Sequence, residues 1–430
     1  LTFTVDSSGG TGGNAENPLY TMVYKASDLA KIGTTTNYYI ANDIDLTELG
    51  KWDGPDNYKG HFNGGGNTIK LQLSKGTGAT GLFDSLASGA IIENLNVDVS
   101  TVSGGVDVSG YIYFGAVVGS MPNNTTCKLK NISVKGELNY RSFNSSTTWV
   151  LIGGIFGEID QGYSGINVTL ENCESDLIIT AEGISISSST MSHVSIGSLV
   201  GKVGNSGGTV KIINCRTGGS ITASMSNDKY LLDAGGIIGC ASKDSSSESK
   251  FNNGAQVNLT IENCYSTTEI NIERTANTNA SSAQNERSVI AGGLIGVLSN
   301  RNAVIKNNVA VNPSVVAGST DKNAYSYPVI GYIFKSGSVA PFKTLDENYA
   351  VSDMPLGVSK DFNGNTPVAA DPNTLANLNG AAASPAELSS QSFWTARGFS
   401  TDNWDFTGLS VKSPGTPGSV YPKLKKTAAN

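Results

Sequence analysis

Histidine is nearly missing from this chain, with only His61 and His193 among 430 residues. That leaves little for a His-based nucleophile, a proton relay or a multi-histidine metal site. Each of the two reads as an ordinary surface or packing residue. No HExxH, GxSxG or P-loop pattern occurs. The expectation is therefore no catalytic set, no metal and no cofactor. Charged residues are only 15%, with a net charge of -7. Mild acidity excludes the basic stripes of nucleic-acid binders. No apolar run approaches the ~18 residues of a membrane span. The chain opens on Leu1 and not Met. That is compatible with removal of a targeting or anchoring segment.

What the chain does have is glycine, 51 residues, much of it placed periodically. GGLIGVLSNRNAVIKNNVAV (292–311) contains a glycine-opened apolar run, a short polar link and a second run ending in Ile-x-Asn. The unit recurs as GGIIGCA with LTIENCYS, GSLVGKV with VKIINCRT, and GGIFGEI with VTLENCES. Weaker copies are GAVVGSM with CKLKNISV and GLFDSL with AIIENLNV, and a decayed one is PVIGYIF with TLDENYAV. Counted this way there are seven copies, with the Asn at 94, 131, 172, 214, 263, 307 and 348. Self-similarity at spacings of 37 to 49 residues is the signature of a stacked repeat architecture.

The apolar runs are short, β-branched and aliphatic, hence strands. A third strand follows each Asn run: GELNY, DLIITA, GSITAS and TEINIER. Three strands per turn, stacked in parallel, predict an all-β solenoid. The residue before each Asn reads Glu93, Lys130, Glu171, Ile213, Glu262, Lys306, Glu347. Stacking makes these direct neighbours, so Glu93–Lys130–Glu171 and Glu262–Lys306–Glu347 are expected as outward charge columns. Two before each Asn stand Ile92, Leu129, Leu170, Ile212, Ile261, Ile305 and Asp346, an interior column that ends at the last turn. The Asn itself suits a left-handed bend. In GGLIGVL both phases are apolar, so a bend is expected at the second or third Gly.

Domain organisation follows. Residues 1–79 read as an N-terminal extension and cap, with Ser27 as N-cap of a helix over Asp28 to Ile32. Residues 80–351 are the repeats. Residues 352–430 read as a C-terminal cap closing the open end of the solenoid. It has short helices opened by Asp371-Pro372 and Ser384-Pro385, and aromatics at Trp394, Phe399, Trp404, Phe406 and Tyr421. Cys127, Cys173, Cys215, Cys240 and Cys264 are the five cysteines. Three of them directly follow the repeat Asn. They are expected as a reduced, buried column; a disulfide between stacked turns is the other reading.

The repeat resembles the GLUG motif, on Gly293-Leu294-Ile295-Gly296 with variants at 236–239 and 154–157, and on IENCYS at 261–266. YYIANDIDL with FNGGGNTI, and NWDF with YPKL, are similar to the stretches that flank such repeats. The chain departs from the motif at Asp84, at Ser198 and in the last copy. The resemblance implies a right-handed parallel β-helix on a secreted or surface-anchored bacterial protein, often adhesin-like. Some members attach to immunoglobulin-cleaving proteases as accessory regions. It brings no catalytic residues.

Three functions remain in view. Glu158/Asp160 and Glu174/Asp176 are i, i+2 carboxylate pairs such as a polysaccharide lyase or glycosidase would need. Stacking sets them beside Lys202, Arg216 and Lys135, as surface ion pairs. DFNGN (361–365) only faintly resembles a calcium loop. The link before each glycine run is long, polar and aromatic: Tyr111, Tyr113, Tyr140, Phe143, Trp149, Tyr230, Tyr325 and Tyr327. These rings either cover a corner of the core or bind a glycan or protein at the cell surface. The leading expectation is an adhesin-like binding module without catalysis. The alternatives are a polysaccharide-active β-helix enzyme and a structural spacer.

Overall fold

Every turn of this chain repeats one problem: short apolar segments that cannot bury themselves alone. The computed structural model describes residues 19–102, 106–107, 111–122, 124–141, 149–159, 165–184, 193–204, 207–225, 231–241, 257–274, 288–299, 302–319, 323–333, 344–357 and 377–425. Within them the solution is parallel stacking throughout the repeats. One large sheet collects the Asn runs and the strands that follow them, and two seven-stranded sheets collect the glycine-side strands. Among the described residues, no helix is long and apolar enough to cross a membrane.

The glycine side holds two strands per turn, not one. The residues just before the glycines form their own strand, as at Trp149–Gly153, His193–Gly197, Leu231–Gly235 and Ser288–Gly292. These pair in register from turn to turn and make what we call the inner sheet. After a two-residue bend at the second Gly, the chain enters the outer sheet at Phe156–Ile159, Val200–Val203, Ile238–Ala241 and Ile295–Leu298. The expected three strands per turn become four, because WVLIG and its counterparts each pair with the same segment of the next turn. The first Gly is required by close approach. A Cβ at Gly153, Gly197, Gly235 or Gly292 would fall about 2 Å from the carbonyl oxygen three residues on.

The Asn bend is as expected for six turns. Asn94, Asn131, Asn172, Asn214, Asn263 and Asn307 all have φ between 53° and 58°, the left-handed region that Asn tolerates. The seventh turn differs by one residue. Glu347 occupies the left-handed position with φ 55°, and Val309 pairs with Tyr349. Asn348 therefore belongs to the next column, where it accepts from Asn308 Nδ2 at 2.9 Å. The slip exchanges faces, as it must in a strand. Glu347 is not in the charge column, and Leu345, not Asp346, continues the apolar interior beside Ile305.

Elsewhere the expected columns hold. Lys130 pairs in register with Glu93 and Glu171, and its ammonium lies 2.9 Å from Glu171. Glu93 instead takes His61 Nε2 at 2.9 Å. That hydrogen bond, helped by Lys130 and Lys128, holds the Glu93 carboxyl below its usual range against the effect of burial. Lys306 reaches Glu262 at 3.5 Å.

The N-terminal region is more than a cover. Its strands Thr21–Val23, Tyr38–Ile40 and His61–Asn63 continue the large sheet by parallel pairing into Ala90–Thr101. The helix expected over 28–32 is a 3-10 turn at Ala26–Leu29.

The C-terminal region also departs from expectation. Ser384 does cap the helix Pro385–Leu388 through a reciprocal bond with Glu387. The Asp371-Pro372 helix start lies outside the described residues. The aromatic cluster, however, does not sit at the end of the stack. Trp394, Phe399, Trp404 and Tyr421 gather around Tyr265, at ring-centroid separations of 5.5, 6.5, 5.5 and 6.1 Å. Tyr265 also donates to the Pro422 carbonyl at 2.5 Å. Asn403 reaches Asn172 at 3.5 Å, and Leu424 and Lys425 line a 60 Å³ cleft against Asn94, Asn131 and Asn172. The segment thus runs back along the Asn corner. An apolar face was open there because Tyr265 projects from a flank, whereas the last rung is covered by the parallel strand Ala381–Ala383.

All five cysteines are free of disulfides and buried. Cys173, Cys215 and Cys264 follow successive bends, and the Cys215 amide donates to Cys264 Sγ at 3.3 Å. Burial pushes the Cys173 and Cys215 thiols well up, so they stay protonated and unreactive. Thiol titration of the denatured, unreduced protein should count five free groups; a count of three would reveal a bridge.

Candidate functional site

The alternation of the inner sheet gives two kinds of column. One faces the core: Val150, Val194, Leu232 and Val289 are all buried apolar side chains. The other reads Tyr113, Leu151, Ser195, Asp233, Ile290, Tyr325. It is apolar on either side of two polar levels. The matching outer-sheet column reads Ser120, Glu158, Lys202, Cys240, Val297, Tyr332. The two sheets lie close here: a Cβ at Gly239 would stand 2.4 Å from Ser195 Oγ.

The polar levels therefore meet. His193, on the same face of its strand as Ser195, directs Nε2 at Asp233 Oδ2. Ser195 Oγ lies 2.6 Å from Asp233 Oδ1 and 2.8 Å from the Gly201 carbonyl oxygen. Cys240 completes a group in which one ligand atom from each of His193, Asp233 and Cys240 lies within 4.8 Å of the others. Glu158 and Lys202 sit beside it, 3.3 Å apart. Asp233, Ser195 and Cys240 are fully buried, and His193 is 7% exposed. Asp233 lies between His193 and Ser195, so the order is not that of a histidine-activated serine.

Several expectations are corrected by this arrangement. Of the two roles expected for His193, surface or packing, it has neither alone: it is buried and hydrogen-bonded to Asp233. Glu158 and Lys202 are register neighbours, as stacking required, yet they pair in the interior and not on the surface. The signal was available: aligned on the glycines, Ser195 and Asp233 interrupt a column of large apolar residues.

The carboxylate pair Glu174/Asp176 is occupied by one guanidinium. Arg216 holds Glu174 at 2.8 Å and Asp176 at 2.7 Å. Lys135, the register neighbour of both Asp98 and Asp176, pairs with Asp98 at 3.3 Å, while Arg216 holds Asp176 by two hydrogen bonds. Asp160 and the stretch 361–365 lie outside the described residues.

The aromatic candidates separate by burial. Tyr111 is 52% exposed, and Tyr113 and Trp149 are half-buried. Tyr140 is buried with its ring centroid 4.4 Å from that of Phe114. Tyr325 and Tyr327 are buried as well, Tyr325 against Tyr332 at 4.9 Å. These three are corrected to core residues: Tyr140 alternates inward on Thr126–Arg141, while Tyr325 and Tyr327 lie farther along their strand than Trp149 does on its own, past the exposed head. Phe143 and Tyr230 lie outside the described residues. Extending the Ile112–Val150 pairing by one residue sets Tyr111 next to Trp149, which in turn pairs with His193. The Trp149 ring meets the His193 ring edge-on at 5.4 Å, and Lys202 Nζ lies 4.4 Å from its centroid. An aromatic rim thus stands at the head of the polar cluster.

No family model matches this chain, and no curated protein matches it. Among solved structures, a Bacteroides ovatus protein provisionally named an immunoglobulin A1 protease is similar over 96% of this chain and 94% of its own, with a TM-score of 0.51 at 17% identity. Another, named IgA1 protease, gives a TM-score of 0.42 at 17% identity, over 75% of this chain and 20% of its own. The first likeness establishes a shared, mainly β fold rich in long parallel sheets. It also corrects the expectation of no catalysis: a protein of this fold, matched over nearly its full length, carries a protease's name.

Proposed function

We propose that this chain is a secreted or cell-surface bacterial β-solenoid of the GLUG-repeat kind, and that it captures a glycan at the rim formed by Tyr111, Tyr113 and Trp149. In this reading the seven right-handed turns of 80–351 are the presenting unit, flanked by 1–79 and 352–430. The observation that carries it is the exposure of Tyr111 at the head of a sheet whose next strand begins with Trp149. An exposed ring beside a half-buried one on the neighbouring rung suits the flat face of a sugar. A rigid solenoid holds them at a set spacing, which lowers the ordering cost of binding.

A glycan array run with parent, Tyr111→Ala and Trp149→Ala tests the reading, with turnover followed on the same glycans. Loss of one stacking ring should weaken capture about tenfold, equivalent to ~1.4 kcal/mol. Tyr111→Ala should keep the parent's stability to within ~0.5 kcal/mol. Capture unchanged in both variants, or capture of a protein partner in place of any glycan, would defeat it.

A further inference from the structure

We propose that His193, Asp233 and Cys240 form a zinc-type metal site between the two glycine-side sheets. Three different ligand types converge there from three strands: nitrogen from His193–Gly197, a carboxylate from Leu231–Gly235 and sulfur from Ile238–Ala241. Their ligand atoms already lie within 4.8 Å of one another. A tetrahedral zinc ion with bonds of 2.0–2.3 Å needs them about 3.3–3.8 Å apart. Small side-chain movements therefore close the site, with the ion taking the place of the direct His193–Asp233 contact. Mixed nitrogen, oxygen and sulfur donors suit a borderline ion such as Zn(II), and not the oxygen-only preference of calcium or magnesium.

The surroundings support a cation. Ser195 has one proton to offer two acceptors, Asp233 Oδ1 and the Gly201 carbonyl. The serine bond to Oδ1 also orients the carboxylate, leaving Oδ2 toward the site, as the partners of metal ligands commonly do. The nearby ammonium of Lys202 is balanced by Glu158 at 3.3 Å. The column position of Cys240 is otherwise held by Lys202 and Val297, so this sulfur faces the charged cluster. Cys173, Cys215 and Cys264 lie along the Asn corner and contact backbone oxygens, and Cys127 contacts the Met121 sulfur. Three protein ligands leave a fourth position for a further donor such as water. On binding, the Cys240 thiol gives its proton to solvent and its sulfur pair to the metal; no oxidation is involved.

The full chain, stripped with a chelator, is titrated with Zn(II) by calorimetry in two buffers of different ionisation enthalpy. One equivalent should bind, with release of about one to two protons. Co(II) should bind at the same stoichiometry and give a thiolate-to-cobalt charge-transfer band. Cys240→Ser should abolish that band, and His193→Asn should abolish tight binding. Ser195→Ala, a positioning residue, should weaken affinity about 10–100-fold while keeping the band. The parent titration does not depend on any variant folding. Failure of the parent to take up a stoichiometric ion would overturn the proposal and leave the cluster as a buried ion-pair network. A thiolate band that persists in Cys240→Ser would overturn it as well. Neither result bears on glycan capture at Tyr111, so the two readings fail independently.

Discussion

Gly235→Ala should lower stability by more than about 4 kcal/mol, enough to prevent native folding in a marginal host. The new Cβ would stand 2.0 Å from the Ile238 carbonyl oxygen and 2.5 Å from the Gly296 amide nitrogen. Both are backbone atoms. One belongs to the same turn and the other to the next, so neither can rotate away as a side chain would. Relief would require the inner and outer sheets to separate, and both are buried on the two strands concerned. Gly318→Ala is the control. Its nearest neighbour is Glu273 Cβ at 3.7 Å, and its backbone is not left-handed. Here the loss of unfolded-state freedom should leave stability unchanged or raised by up to ~1 kcal/mol. Urea unfolding followed by circular dichroism compares the two. Equal midpoints would show that the glycine contact is not what holds the two sheets together.

Tyr140 should respond in opposite directions to two substitutions. Tyr140→Ala removes a fully buried ring that packs on Phe114 at 4.4 Å, and should cost ~3–5 kcal/mol. Tyr140→Phe keeps the ring and removes a hydroxyl that is buried with no hydrogen-bond partner among the described residues. Such a group carries a desolvation penalty of ~1–3 kcal/mol. The Phe variant should therefore melt at or above the parent. A Phe variant that melts several degrees lower would mean that the hydroxyl is satisfied in solution. A mild Ala variant would return Tyr140 to the list of exposed rings.

The repeat period made a stacked repeat legible, and the short β-branched runs within each copy made it a stack of strands. The left-handed Asn bends, the Lys130 register and the cysteine column were equally readable. Each depends only on which residue lies one rung away. The slip at Glu347 was not readable from the Asn alone. Asn307 and Asn308 are adjacent, so either could be the template for the last turn, and only strand pairing chose between them.

The aromatic candidates show the same boundary. All were placed at one corner by the chain order, and that placement was sound for Tyr111 and Trp149. Whether a ring is buried depends on strand phase and on how far along the strand it lies, and the strand just before the glycines was hidden inside a variable link. Tyr140 turns inward by the phase of the third strand, and Tyr325 and Tyr327 are buried by their level within the glycine-side strand. The C-terminal aromatics likewise had a composition suited to burial, but their partner, Tyr265, lies far away in sequence.

By itself, then, the sequence determined the β class, the repeat, the turn-to-turn register over most of the stack and the reduced cysteines. These are consequences of local alternation and fixed spacing. The tertiary structure decided the rest. It set the second glycine-side sheet face to face with the first, and so buried His193, Asp233 and Cys240 together. It also laid the C-terminal segment along the Asn corner. Contacts between sheets, unlike those between rungs, obey no period, because they depend on how closely two faces approach and on which side chains a bend of two residues brings across.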